Sequence, residues 1–308
     1  MRKGLKVSPD SLPDQFGGKI AGTTLILDGD SACYVIAATV KTIPTAIRHF
    51  QMEVLKLMFL TKTEDARVHL TASDSLKAGR GSIIAAKPYQ GNRTGKAKPA
   101  LLEAVRQAVS DPANCLPEYT VELHRNLEAD DACMIDAYRL RDKGVLCSAD
   151  KDLKLSPYPY YSRSTGQVMA GAGFGYVELE QTPSGIVKMG GAGRKFFWAQ
   201  MLMGDAADNV RGLALYQGKP IGAVTAYQVL SACKDDESAV ANEVLDLYAQ
   251  IDQNPLPEGW LMWLLRTPDD NFWRYVTSLK LRPDIREYLQ YCLQKKWFNT
   301  HEDEHDED

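Results

Sequence analysis

The chain has 308 residues, six cysteines and no Cys-x-x-Cys pair. That excludes the paired-thiol zinc and redox motifs. The cysteines (33, 115, 133, 147, 233, 292) therefore read as reduced thiols of a cytosolic protein, mostly small core residues. No apolar run approaches the roughly 20 residues of a membrane span. The start, Met1 to Lys6, is basic but lacks the apolar stretch of a signal peptide. Nucleotide-loop signatures are missing as well. Gly171-Ala-Gly-Phe-Gly175 and Gly190-Gly-Ala-Gly193 hold neither Gly-x-Gly-x-x-Gly nor a terminal Gly-Lys-Ser/Thr, so both read as turns. His301 to His305 matches His-Glu-x-x-His formally, but it lies in a polar terminal run where no buried amphipathic helix can form.

Acidic residues are plentiful and unevenly placed. The last eight residues carry 6 of the 40 acids and no Lys or Arg; without them 36 basic residues face 34 acidic ones. This tail is too charged to pack and is expected to be disordered. Five further clusters recur along the chain: Asp28-Gly-Asp30, Ser73-Asp74, Glu128-Ala-Asp130-Asp131, Asp150-Lys-Asp152 and Gly204-Asp205-Ala-Ala-Asp208-Asn209. Setting their acids aside leaves a basic surface, which suits a polyanionic partner. Carboxylates that converge repel one another and need bound cations. An all-oxygen set without His or Cys suits Mg²⁺ or Mn²⁺ rather than zinc.

Each cluster follows or adjoins an apolar run. Thr24–Leu27 reads as a buried strand ending at Asp28, followed by helices over Ser31–Val40 and Ala46–Leu60. Ala66–Thr71 reads as a strand before Asp74, Tyr119–Leu123 as a strand before Glu128, and Val145–Ser148 as a strand before Asp150. Helices are expected over Pro99–Val109 and Ala129–Lys143, the latter capped by Gly144. Residues 160–193 read as short β-runs, 196–250 and 259–297 as helical, and residues 1–22 as an irregular lead-in. Strand, acid, helix, repeated, implies an α/β fold with a mostly parallel sheet, whose carboxyl edge would gather the acids. The Trp and Tyr residues of 260–297 fall at helical spacings and read as core.

These stretches, with Tyr89-Gln-Gly-Asn-Arg93 and Met203-Gly-Asp-Ala-Ala-Asp-Asn-Val-Arg-Gly212, resemble the 5′-nuclease family. That family comprises flap endonucleases, the 5′-nuclease domains of DNA polymerases and phage 5′→3′ exonucleases, the last being nearest in length and in glutamine substitutions. The resemblance spans about residues 24–230. It implies a PIN-like α/β fold with a helical arch over about 80–110 and a C-terminal helical region with a helix-turn-helix-like element over about 200–232. The core would span 1–165, the mainly helical part 166–300 would complete the same site, and 301–308 would be the tail.

The same resemblance implies two divalent ions, Mg²⁺ or Mn²⁺. Asp28, Asp74, Glu128, Asp130, Asp131 and Asp150 would surround the first. Asp152, Asp205 and Asp208 would hold the second, with Asp150 near both. Asp30 has no firm family counterpart and would either support a ligand or cap the following helix. Asn209 would orient its loop. The arch would offer Arg80, Lys87, Arg93, Lys96 and Lys98 to phosphate and Tyr89 to a base. Many relatives carry lysine where this chain has Gln90; Lys87, one helical turn earlier, would compensate, and Arg93 would clamp phosphate. A second family cation is replaced by Gln200. Gly218-Lys-Pro-Ile-Gly222 would grip duplex backbone through Lys219 and the Gly222 region, with a potassium ion as in some relatives.

The implied activity is metal-dependent hydrolysis of DNA from a free 5′ end, exonucleolytic or at flaps. The setting would be the cytoplasm (of the host, for a phage protein), with no membrane and no organic cofactor. Two alternatives stand beside it. A haloacid-dehalogenase-type phosphatase would use Asp28 as nucleophile and Asp30 as acid, but it prefers Thr or Val at position 32, where this chain has Ala. A non-cleaving, structure-specific DNA-binding protein would account for Gln90 and Gln200.

Overall fold

The computed structural model describes residues 18–182 and 184–297; the acidic tail with its His301–His305 motif, and the lead-in before residue 18, lie outside them. Strand β1 (Ile20–Asp28) continues into α1 (Asp30–Thr39) and α2 (Ile43–Thr61). Then come β2 (Thr63–Thr71), α3 (Leu102–Ser110), β3 (Tyr119–His124), α4 (Ala129–Leu140) and β4 (Gly144–Cys147). Short strands β5 (Tyr160–Ser162) and β6 (Gln167–Met169) complete a six-stranded sheet in the order β3-β2-β1-β4-β5-β6. All neighbouring pairs are parallel except β5–β6.

The apolar run of β1 follows from this sandwich. Leu25 and Leu27 pack with residues of α1, α2 and α3 on one face, while Ile26 packs with Cys133, Met134 and Ala137 of α4 on the other. A strand covered on both faces has no side for polar residues. Only its end, Asp28, breaks the run. The chain leaves β1 toward β2 and β3, then returns on the opposite side of β1 as β4. A crevice opens at such a reversal, beyond the carboxyl ends of the two strands. That is where Asp28 and the Asp150–Asp152 stretch meet.

Gly144 is not the α4 cap. The helix ends at Leu140, Arg141 takes a left-handed φ of 53°, and Gly144 opens β4. A Cβ there would lie 2.8 Å from Ile26 Cδ1 and 3.1 Å from Leu140 Cβ, so a larger residue would have to displace the Ile26 side chain.

The rest of the chain is a hairpin, β7 (Tyr176–Gln181) with β8 (Val187–Ala192), followed by helices α5 (Arg194–Met203), α6 (Ala223–Ala232), α7 (Glu237–Gln250), α8 (Leu256–Met262), α9 (Phe272–Thr277) and α10 (Pro283–Gln294). Trp198, Trp263, Phe272 and Tyr275 are buried around Phe197, and Trp263 stacks on Tyr275 at 3.9 Å between centroids. These helices share one apolar core with Ile26, Leu146 and α4.

Within the region expected as an arch, α-helix is confined to α3, which buries Leu102, Val105 and Val109. Residues 83–101 form turns and one 3₁₀ segment, Gly91–Arg93. Arg80 is drawn into the core, 2% exposed, instead of facing a polyanion. Its guanidinium forks onto Asp131 at 2.5 and 2.8 Å, reaches Glu128 at 3.3 Å and donates to the Trp263 carbonyl. Asp131, fully buried, also accepts from the Leu265 amide, so its oxygens are committed to holding the helical half against α4. Removing one partner of a buried pair strands the other charge. Arg80→Leu is therefore expected to cost about 3–5 kcal/mol, read as a lower urea midpoint; an unchanged midpoint would show that the pair does not carry the junction.

Candidate metal centre

Asp28 is buried at the end of β1, and Ser148 Oγ donates to its Oδ2 at 2.7 Å. Burial, and then the nearby Asp30, push its pKa up to about 6. Glu128 precedes α4 and Asp130 lies in its first turn. Burial, with Asp131 and Glu128 close by, raises Asp130 well above the ordinary carboxylate range. Asp150 is exposed beyond β4, and its Oδ1 accepts from the Asp152 amide at 2.9 Å. A cleft of about 320 Å³ is lined by Asp28, Asp30, Gln90, Arg93, Glu128, Asp130, Asp150 and Asp208.

The second group is tighter. One oxygen each from Asp152, Asp205 and Asp208 lie within 4.8 Å of one another. Burial, opposed by Lys151 and reinforced by Asp150, raises Asp152 to about 7. Burial also pushes Asp205 up, but Lys151 Nζ at 2.6 Å outweighs it and leaves the carboxyl below its ordinary range. Asp208 is raised by burial, against the pull of Arg93 at 2.7 Å. Asp205 and Asp208 ride on a closed loop. Gly204 (φ 75°) and Gly212 (φ 69°) pinch its ends so closely that a Cβ on either would fall 2.3 Å from backbone atoms of the other end. Asp205 and Val210 exchange backbone hydrogen bonds across it, and buried Glu258 accepts from the Gly212 amide.

The segment 88–93 lies on this loop. The Gln90 amide donates to the Asp208 carbonyl, Asn92 Nδ2 to the Ala206 carbonyl, and Asn209 Nδ2 returns a bond to the Pro88 carbonyl. Asn209 thus orients the loop. Both glutamines sit among the acids. Gln90 Nε2 donates to Glu128 at 3.1 Å and Asp208 at 3.0 Å, while Lys77 Nζ donates to its oxygen. Gln200, 2% exposed, donates to Asp152 at 2.6 Å and Asp205 at 3.3 Å. Its Oε1 is buried without a hydrogen-bond partner.

Several expected residues stand elsewhere. Asp74 is exposed and paired with Arg125, because the chain after β2 runs beside the exit of β3 through the Leu76–Arg125 and Ala78–Asn126 backbone bonds. Asp131 is spent on Arg80. Asp30 does not cap α1; its amide donates to Asp28 at 3.1 Å, and its carboxylate, at the cleft, accepts from Arg106 at 2.8 Å and from the Thr71 amide at 3.2 Å. Tyr89 is no free stacking face: its ring packs against the core and its hydroxyl donates to Glu128 at 2.6 Å. Gln200 is too buried to meet DNA. Lys87, Lys96 and Lys98 are exposed on the non-helical segment, so Lys87 does not compensate Gln90 through a helical turn; Lys77 reaches Gln90 instead. Lys219 and Gly222 are exposed where α6 begins, with Gly222 at its N-cap. Sequence reasoning missed Ser148, Lys77 and Lys151. Lys151 stood in plain view between Asp150 and Asp152.

An all-carboxylate, partly buried group in which Asp28, Asp130, Asp152 and Asp208 are pushed toward protonation fits hard divalent cations. Proton loss from such ligands accompanies metal binding. Mg²⁺ or Mn²⁺ affinity is therefore expected to rise by roughly tenfold per pH unit for each proton displaced, and to level off above the values of about 6 for Asp28 and about 7 for Asp152. The sign for folding is the reverse. Raised carboxyl pKa values favour the metal-free fold below 3.8, and that contribution is lost as pH rises through about 6 to 7. Calorimetry in buffers of different ionisation enthalpy checks the first expectation, and Tm against pH with and without Mg²⁺ the second. A pH-independent affinity would remove the buried acids from the ligand set.

No protein-family model and no curated protein matches the chain. Solved structures do. The crystal structure of the bacteriophage T5 D15 protein co-crystallised with metal ions aligns over 88% of this chain and 91% of its own, at 17% identity and a TM-score of 0.48. The D15 flap endonuclease in a pseudo-enzyme–product complex with DNA and metal ions aligns over 87% of this chain and 99% of its own, at 16% identity and a TM-score of 0.51. The chain shares the fold of that flap endonuclease, the α/β architecture expected for a 5′-nuclease.

Proposed function

We propose that the protein is a divalent-metal-dependent nuclease that hydrolyses phosphodiester bonds near DNA 5′ ends, as an exonuclease or at flaps. The convergence of Asp28, Glu128, Asp130, Asp150, Asp152, Asp205 and Asp208 on one edge of this fold carries the reading. Asp28, Glu128, Asp130 and Asp150 would hold one cation, and Asp152, Asp205 and Asp208 a second. Cations so held supply water activation and neutralise charge on the phosphate and its leaving oxygen.

The chain's own residues do the rest. Arg93, half-exposed at the rim with one nitrogen on Asp208, has further N–H groups free to fork onto a phosphate. Lys87, Lys96 and Lys98 line the approach as exposed cations, a sequence-independent attraction for the backbone. Lys219 and the N-terminal amides of α6 supply a second backbone contact for the duplex. Gln90 and Gln200 hold carboxylates in place without adding charge. The phosphatase alternative loses its acid, since Asp30 is tied to Arg106.

Asp150 is exposed and outside the core, so Asp150→Ala is expected to fold normally. It should lose at least about 100-fold in rate, the scale of removing one stabiliser of transition-state charge. The assay uses 5′-labelled duplex and flap DNA with Mg²⁺ or EDTA. Cutting in EDTA, or a fully active variant, would sink the proposal. Binding without cutting by the wild type would favour a DNA-binding protein that has lost cleavage.

A further inference from the structure

Outside the acid cleft, three side chains of a different chemistry meet at the carboxyl end of β2 and β3. His69 and Glu122 are register partners across the two parallel strands. His124 follows Glu122 by two residues, which puts both on the same face of β3. The two imidazoles face each other, His69 Nδ1 lying 2.9 Å from His124 Nε2. Glu122 Oε1 lies 3.6 Å from His124 Nδ1, the ring nitrogen turned away from His69, and one donor atom from each of the three residues falls within a 4.8 Å spread. We propose that His69, His124 and Glu122 form a binding site for a borderline divalent ion of the Zn²⁺ class, separate from the all-carboxylate centre.

The surroundings of the pair are those of metal-ligating histidines. Asp136 of α4 faces the other nitrogen of His69, Oδ2 to Nε2 at 3.2 Å. A carboxylate can only accept there, so Nε2 carries the proton and the Nδ1 lone pair points at His124. A carboxylate behind a ligating imidazole fixes tautomer and ring orientation in this way. Asp136 is itself held by Arg67 at 3.5 Å and by Arg139. Burial, ahead of the opposing pull of Glu122, lowers the His124 pKa and keeps the ring neutral; the proton that its Nε2 donates to His69 moves to Nδ1 when an ion takes Nε2.

The spacing suits a tetrahedral ion. With Zn–N bonds of about 2.0–2.1 Å, two nitrogen donors lie roughly 3.3 Å apart, so the imidazoles need to part by only a few tenths of an ångström. Glu122 has a mostly exposed side chain that is free to swing in. Beside the site a cleft of about 470 Å³, lined by Arg67, His69, Glu122 and Asp136, leaves room for water as fourth ligand. Two nitrogens and one oxygen favour Zn²⁺ over Mg²⁺, whereas the acid cleft has the opposite preference. An ion here would join β3, the edge strand, to β2.

The test uses chelator-treated full-length protein in excess Mg²⁺, which occupies the carboxylates. Zn²⁺ is titrated by calorimetry, and Co²⁺ is followed by its visible absorption. The expected result is one equivalent of Zn²⁺ bound, a tetrahedral Co²⁺ spectrum, a Tm raised by Zn²⁺, and no change in Asp205→Asn. Asp136→Asn should weaken Zn²⁺ by roughly 10–100-fold, and His124→Gln by more. Glu122→Gln, a surface change that leaves folding intact, should also weaken it. No Zn²⁺ uptake in excess Mg²⁺, or uptake unchanged in both Glu122→Gln and His124→Gln, would overturn the site and leave a hydrogen-bonded histidine pair. Neither result depends on nuclease activity, so the proposal stands or falls apart from the assigned function.

Discussion

Like charges brought together at one sheet edge are the constraint on which the rest of this structure depends. Asp28, Asp130, Asp152 and Asp208 all have raised pKa values, with burial as the leading cause. An apolar core would not tolerate them unsupported. Three of the four are met by donors from distant parts of the chain, Ser148 for Asp28, Gln200 for Asp152, and Gln90 and Arg93 for Asp208, while Asp130 accepts from the adjacent Asp131 amide. The strands deliver the acids, and the loops and helices that follow supply the donors. This is why the helical half cannot be a detachable appendage. Phe197 and Trp198 of α5 pack into the same core as Ile26 and Leu146, and Gln200 of that helix reaches the acids from there.

The two glutamines are informative because they do the same thing. Each presents one amide nitrogen to two carboxylates, Gln90 to Glu128 and Asp208, Gln200 to Asp152 and Asp205. A lysine at either position would add a full charge and cancel part of the acids' attraction for a cation. An amide donates hydrogen bonds and leaves the net charge of the cluster untouched. Positive charge enters through other residues, Lys77 beside Gln90 and Lys151 beside Asp205.

The carboxylate frame was legible in the sequence for a physical reason. A strand buried on both faces reads as an uninterrupted apolar run, so the acid that ends it stands out, as Asp28 does after Leu25, Ile26 and Leu27. The fate of the remaining acids was not legible, because a position near a strand end does not fix where a side chain goes. Asp74 and Asp131 looked equivalent to their neighbours. One is held at the surface by Arg125, three residues past the end of β2; the other points inward from the first turn of α4 onto Arg80. Arg80 misled for the same reason: among Lys and Arg residues in a polar stretch, nothing local marks the one whose partner, Asp131, is 51 positions away. The histidine pair escaped notice because strand register, not sequence spacing, brings residues 69 and 124 together.

The same long-range logic governs the rim. The loop from Gly204 to Gly212 is shaped by its glycines, but its placement depends on Asn209, Gln90 and Asn92, which fasten it to residues 88–93. Gln90 and Arg93 both end on the same oxygen of Asp208. Any displacement of that segment withdraws an amide and a guanidinium from one carboxylate at the same time. Position and charge at Asp208 are thereby coupled: the segment that carries the exposed Lys87, Lys96 and Lys98 is also the segment that sets the electrostatics of a proposed metal ligand. On the proposed function, a polyanion drawn to those lysines would compete with Asp208 for Arg93, and what it took from the carboxylate it would leave available to a cation.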